Sequence, residues 1–230
     1  LHRSAKIAMM EIPYSVDELC EATVEIIKKN NIKSCYIRPL AYYGYGQMGV
    51  DPTGAPVDVI IAVWPWDAYL GEEALQNGIK VGVSSWRQRS FNAIPPAVKS
   101  SASYMNSILA KKEATLHGYA EAIMLNEEGR VCEGTGENIF VVRNGILSTP
   151  PLSDGLLEGI TRDTILTLAT DMDIPAIEES LTRSDLYIAD EAFMTGSAAE
   201  LTPINSIDDR VIGKRGPITE QLQKRYFDVA

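Results

Sequence analysis

The residues best suited to chemistry lie between Val131 and Arg162, in the run VCEGTGENIFVVRNGILSTPPLSDGLLEGITR. An acid, Glu133, stands at the start of a glycine-rich bend, Glu133-Gly134-Thr135-Gly136-Glu137-Asn138. The run closes on Gly159-Ile160-Thr161-Arg162, where a helix is expected to begin with Thr161 as its cap. A helix start offers unpaired backbone N–H groups to an anion. A fixed carboxylate and an anion site therefore share one short stretch. A ligand with a ring nitrogen to keep protonated and a phosphate to seat needs both, and pyridoxal phosphate is one such ligand. The same residues also read, more plainly, as a β-meander with a tight turn and an ordinary capped helix.

An aldehyde cofactor would need an amine to hold it and to shuttle a proton. Most of the ten lysines lie on polar helical faces, such as Lys28-Lys29 and Lys111-Lys112. Lys99 differs: it follows the apolar run Ala93-Ile94-Pro95-Pro96-Ala97-Val98 and precedes the small residues Ser100 to Ser103. Desolvation there would suit a nucleophile, although composition alone favours a surface lysine. Tyr104 follows five residues on and reads as a half-buried helix tyrosine. Tyr36 and Arg38, in YIRPL, are two apart and share one face of a strand. Taken alone, Arg38 is a surface ion-pair residue.

Glu133, Thr135, Asn138-Ile139-Phe140, Leu147, Thr149, Leu157, Gly159-Ile160 and Arg162 resemble, in order and spacing, the signature of the class IV pyridoxal-phosphate aminotransferases. The motifs IPPAVKSSASY and YIRPL and the GQMG loop carry the resemblance to the branched-chain amino acid aminotransferases of that class, nearly end to end. It implies a fold-type IV enzyme, with a small N-terminal α/β domain and a larger pseudo-barrel domain. It also implies transfer of an amino group between leucine, isoleucine or valine and 2-oxoglutarate. By resemblance, Lys99 is the Schiff-base lysine and Tyr104 bonds the cofactor's phenolic oxygen. Glu133 faces the pyridine nitrogen. Ile160, Thr161, Gly196 and Ser197 hold the phosphate, and the N–H groups of Ser197 and Ala198 hold the substrate α-carboxylate. Tyr36, Arg38, Trp66 and Tyr69 line the substrate pocket, with Arg38 and Tyr69 on the distal carboxylate of glutamate. Met48, in the loop Gly44 to Val50, would reach a neighbouring subunit's pocket in a homodimer or larger assembly. Two residues depart from the family pattern: Ser103 stands before Tyr104 where Asn is usual, and Ser197 replaces a more usual Thr.

These residues must be positioned by mixed α and β elements. Ser15 and Glu18 form a capping box that opens a helix ending near Asn30-Asn31. Ser34 to Tyr43 reads as a strand that Pro39 confines to an edge, and Val57 to Trp64 as a buried strand. Residues 1–66 form a small domain, 67–75 a connection, and 76–230 a large domain. In the latter, Ile79 to Trp86 is a strand. Ala102 to His117 is a helix with Ile108, Leu109 and Ala110 on its apolar side, closed by Gly118. Glu121 to Asn126 is a strand, and Asn144-Gly145 turns a hairpin. A helix over Thr161 to Asp171, strands near Ile174 to Glu179, Glu191 to Thr195 and Leu201 to Ile212, and a helix opened by Pro217 complete the order. Strands and helices do not alternate strictly, which favours an α+β arrangement over a doubly wound sheet.

Bulk properties exclude several classes. Acids outnumber bases by 31 to 21, a net charge of −10 over 230 residues, which disfavours nucleic acid. Cys20, Cys35 and Cys132 show no metal spacing and no disulfide framework, pointing to a reducing, cytoplasmic setting. His2 and His117 are too isolated for a metal site. The most apolar run, Val57 to Trp66, is too short to span a membrane. The start, Leu1-His2-Arg3, reads as the middle of a longer protein, and the resemblance implies that the segment before it carries a phosphate-binding arginine. Three rivals stay open: a D-amino acid aminotransferase, an aminodeoxychorismate lyase, and a non-catalytic domain of the same fold.

Overall fold

The computed structural model describes residues 1–46, 48–66 and 70–229. The chain divides into two compact units, Leu1–Asp67 and Ala68–Ala230.

The first unit holds helices α1 (His2–Ile7) and α2 (Val16–Lys29) and an antiparallel pair of strands, β1 (Tyr36–Tyr43) and β2 (Val57–Trp64). The expected capping box opens α2: the Ser15 hydroxyl accepts from the Glu18 N–H, and the Glu18 carboxylate accepts from Ser15. Pro39 sits in a two-stranded sheet, where each strand is an edge, the setting that tolerates a residue without an N–H. β2 is not the buried strand expected from composition; Ile60 is 49% exposed and Trp64 37%. Ala5 is the only buried residue among the described residues of this unit.

The second unit is built on a nine-stranded mixed sheet that curls into a half-barrel. Its strands are β3 (Ile79–Arg87), β4 (Glu121–Leu125), β5 (Val131–Gly134), β6 (Asn138–Arg143), β7 (Ile146–Thr149), β8 (Ala176–Glu178), β9 (Glu191–Gly196), β10 (Glu200–Ile207) and β11 (Arg210–Val211). Their order is β5-β4-β3-β10-β9-β6-β7-β8, with β11 paired to β10. Around it lie α3 (Glu72–Asn77), α4 (Tyr104–Leu116), α5 (Ile160–Asp171), α6 (Arg183–Tyr187) and α7 (Pro217–Val229).

The apolar run of β6 explains the layering. Ile139 and Val141 pack with Val81, Ile123, Met194 and Leu186 on one face. Phe140 and Val142 pack with Phe193, with Ile165 and Leu168 of α5, and with Leu222 of α7 on the other. A strand buried on both faces reads as a continuous hydrophobic run rather than an alternation. Phe140 and Phe193 stack at 5.1 Å between ring centroids. The hairpin turns at Asn144 (φ 51°) and Gly145 (φ 77°), the left-handed pair that an Asn-Gly turn supplies.

Two local expectations are corrected, and two short helices are added. Helix α4 buries Ser107, Ala110 and Ala114, whereas Ile108 is 54% exposed, because small residues let the helix approach Ala122 and Met124 of β4. Helix α3 begins at Glu72, inside the stretch read as a connection. Helix α6 was not expected; five residues are too few to show a period. The cap of α5 is Gly159, not Thr161, which lies buried within the first turn.

Candidate active site

Strand β5 carries Glu133 to the end of the sheet, and the bend 134–136 returns the chain into β6. Register then sets the neighbours: β6 pairs with β9, Asn138 opposite Thr195, so the turn at Gly196 falls beside the bend. A Cβ on Gly196 would lie 3.3 Å from the Gly136 carbonyl oxygen. Ser197 is exposed and Ala198 half-buried on that turn.

Asn138 joins the bend to helix α5. Its side-chain amide donates to the Leu157 carbonyl at 2.9 Å, and the Leu157 N–H donates to Oε2 of Glu133 at 3.0 Å. A Cβ on Gly159 would fall 2.0 Å from Oδ1 of Asn138, so any other residue there must displace Asn138 or the start of α5. Gly159 has no side chain to cap α5, which leaves the first-turn N–H groups for another acceptor. Ile160 is 75% exposed and Thr161 is buried against Tyr226.

Lys99 lies in the loop after β3, with its ammonium 5.9 Å from the centre of the Tyr104 ring. The lysine is exposed, so the apolar run before it does not desolvate it as expected. Tyr104 is half-buried at the first turn of α4. Ser103 is buried, with an unpartnered hydroxyl.

Two residues that nothing in the sequence singled out complete the group. Gln88 is 2% exposed, and its side-chain amide donates to Oε1 of Glu133. Arg89 donates from Nη1 to the Ser103 carbonyl at 3.2 Å, and its buried Nε has no partner among the described residues. Burial holds the Arg89 guanidinium below its usual range, against the pull of Glu133 and Tyr104. Burial pushes the Glu133 carboxyl up to about 7, against the Leu157 N–H, Arg89, Gln88 and Lys99. Within the second unit Lys99 thus faces Tyr104 and acts on Glu133, the bend after Glu133 touches the Gly196 turn, and Asn138 ties that bend to the start of α5 beside Ile160 and Thr161. A cavity of about 320 Å³ lies against Tyr104 and the bend, lined also by Ser107, Lys111, Thr135 and Gly136.

In the first unit, Arg38 donates from Nη2 to the Tyr36 hydroxyl at 2.8 Å and lies 5.1 Å from the centre of its ring. The Tyr36 ring is 4.6 Å from that of Trp66. Met48 is 99% exposed, and Tyr69 lies outside the described residues. Among the described residues, no group of His, Cys, Asp and Glu is placed to hold a metal ion, and no helix is long and apolar enough to cross a membrane.

Comparison with known proteins gives a consistent result. Residues 1–207 match the family model described as amino-transferase class IV. A branched-chain-amino-acid aminotransferase of Pseudomonas aeruginosa is 52% identical over 231 residues, covering 100% of this chain and 75% of the relative. The structure of the Escherichia coli branched-chain amino acid aminotransferase superposes with a TM-score of 0.97 at 48% identity, over 99% of this chain and 76% of that one. The branched-chain amino acid aminotransferase of Thermobaculum terrenum, in its PLP-bound holo-form, superposes with a TM-score of 0.94 at 38% identity, over 99% and 75%.

Proposed function

The chain belongs to the amino-transferase class IV family, and from that premise we infer that it is a branched-chain amino acid transaminase. It moves the amino group between leucine, isoleucine or valine and 2-oxoglutarate, with pyridoxal phosphate as cofactor. The observation that carries this reading is the match, over nearly the whole chain, to enzymes of that name. These matches do not favour the lyase and D-amino acid readings.

The residues present fit the cofactor. The half-buried Glu133 carboxyl suits a protonated ring nitrogen. The uncapped start of α5 suits a phosphate. A Cβ on Gly196 would crowd the Gly136 carbonyl oxygen at 3.3 Å, so the turn lies close against the bend. The unpartnered hydroxyl of Thr195, in the strand leading to that turn, adds a spare polar group. Bound there, pyridoxal phosphate supplies an aldehyde that carries the amino group and a ring that accepts electrons. The protein does the rest. Lys99 holds the aldehyde carbon and carries the proton to and from the substrate α-carbon. Glu133 keeps the ring nitrogen protonated, and Tyr104 holds the phenolic oxygen. Ile160, Thr161, Gly196 and Ser197 seat the phosphate, and the N–H groups of Ser197 and Ala198 take the α-carboxylate. Tyr36, Arg38, Met48, Trp66 and Tyr69 serve the choice of substrate side chain.

We assign the working protein to the cytoplasm, in line with its unpaired cysteines, and to a homodimer or larger assembly. A substrate panel tests the function. Leucine, isoleucine and valine should each convert the bound cofactor, and 2-oxoglutarate should restore it. Activity confined to D-alanine would overturn the reading. Borohydride reduction of the loaded protein should place the label on Lys99.

A further inference from the structure

Gln88 lies just beyond β3, and its backbone is pinned there, its N–H donating to the Leu125 carbonyl at 2.8 Å. Its side-chain oxygen accepts from the Arg89 N–H at 3.1 Å, and its amide nitrogen donates to Glu133. The amide cannot turn over, because a backbone N–H only donates and an ionised carboxylate only accepts. We propose that Gln88 is the positioning residue of Glu133: its locked amide fixes the carboxylate in one orientation without neutralising it.

The surroundings favour that role. Each Glu133 oxygen takes one N–H, Oε1 from Gln88 and Oε2 from Leu157, and both donors are neutral. Among the described residues Glu133 makes no ion pair. Arg89, a nearby cation, spends a donor on the Ser103 carbonyl instead. A carboxylate accepts at about four lone-pair sites, so two neutral bonds settle its plane and leave capacity for a ligand N–H. A direct ion pair would settle the plane too, but would draw off the charge that a protonated ring nitrogen needs. Gln88 thus acts through Glu133 and does not touch the cofactor. The proposal rests on the transaminase reading only for what Glu133 faces.

Carbon-13 labelled glutamate and nitrogen-15 labelled glutamine test it by NMR titration of the full chain without cofactor. The charged and titratable groups that interact with Glu133 include Arg89, Lys99, Glu137 and the Cys132 thiol; Glu133→Gln identifies the Glu133 signal. In the unaltered protein the Gln88 side-chain amide should shift with the same midpoint as the Glu133 carboxyl. An amide that ignores that midpoint overturns the proposal, and this measurement needs no Gln88 variant to fold. In Gln88→Met, of similar length, the Glu133 midpoint should rise by about one unit, because a bond to the charged form is lost. An unchanged midpoint in folded Gln88→Met also overturns it, since a purely structural glutamine would leave Glu133 untouched. Both readouts are free of cofactor, so failure to bind pyridoxal phosphate would strike the transaminase reading alone.

Discussion

The Lys111 ammonium lies 2.6 Å from Oε2 of Glu121, and that one cation stands near two buried carboxyls. Glu121 has no exposed surface; its Oε1 accepts from the Thr135 hydroxyl and the Ala122 N–H, each at 2.7 Å. Glu137 is 4% exposed and accepts from the Gly136 N–H at 3.0 Å. Burial, then the charge on Glu121, pushes Glu137 up to about 8, against the Gly136 N–H and Lys111 and with a further push from Glu133. Glu121 takes the lysine, and burial beside it favours the protonated form of Glu137, at the end of the bend that begins with Glu133.

A pH dependence of stability follows. The folded protein holds the Glu137 proton up to about pH 8, whereas a free glutamate releases it near 4.5. The raised value makes this contribution fully present below about 4.5 and lost as pH rises through about 8. Glu133, raised to about 7, acts with the same sign. Denaturant unfolding should therefore show stability falling from about pH 5 to about pH 8.5, and Glu137→Gln should flatten that fall. A variant whose slope matches the unaltered protein would show that Glu137 is ionised throughout.

A steric prediction concerns two glycines near the site. Gly159→Ala places a Cβ against the Asn138 amide oxygen. Either Asn138 or the start of α5 must then move, loosening the Asn138–Leu157–Glu133 connection. Overpacking of this kind costs about 1–3 kcal/mol. Gly136→Ala meets nothing within 4 Å and should leave stability nearly unchanged. Thermal melts of the two variants compare the sites directly, and equal melting temperatures would mean that Asn138 yields without cost.

How far these features are legible depends on the range of the forces behind them. The Asn144-Gly145 hairpin, the Ser15 capping box and the Pro217 helix start are readable because each is fixed within a few residues. Ile108 falls on the unexpected face because α4 packs by smallness against β4, a demand that only the partner strand reveals. Thr161 has the type of a cap, but the bend's Asn138 fixes Gly159 there instead. Glu133 and Lys99 are visible through their motifs. Gln88 is not, since its bond to Glu133 spans 45 residues of sequence and rests on the register of β3, β4 and β5. The first-unit strand β2 reads as buried because apolar composition records what a strand can cover, not what covers it.

Lys99 gives the sharpest test of chemistry. Lys99→Ala should lower turnover by at least about a thousandfold, within the range lost when a positioned acid-base group is removed. Cofactor should still bind, more weakly, through the start of α5 and the Gly196 turn. Fluorescence titration with pyridoxal phosphate and turnover with leucine separate the two effects. Turnover close to that of the unaltered protein would remove Lys99 from the mechanism.

The last prediction concerns two unlike substrates. Leucine brings an isobutyl group and glutamate a carboxylate to the same side-chain position. A wholly apolar site would reject glutamate, because burying an unpaired carboxylate costs several kcal/mol. A bare cation fixed at its centre would reject leucine for the converse reason. The workable arrangement is a cation that is exposed and otherwise engaged when leucine is bound. Arg38 has that character: it is exposed, and its guanidinium is occupied by the Tyr36 hydroxyl at 2.8 Å. Truncating one partner of a desolvated charge pair costs ~2–5 kcal/mol, or roughly thirtyfold and more in rate or affinity. Arg38→Ala should therefore slow the glutamate half-reaction by at least about thirtyfold and the leucine half-reaction much less. Tyr36→Phe keeps the ring and frees the guanidinium, so it should affect glutamate less than Arg38→Ala does. Single-turnover rates of each half-reaction decide the matter, and an equal loss for both substrates in Arg38→Ala would mean that Arg38 is structural or holds the α-carboxylate common to both.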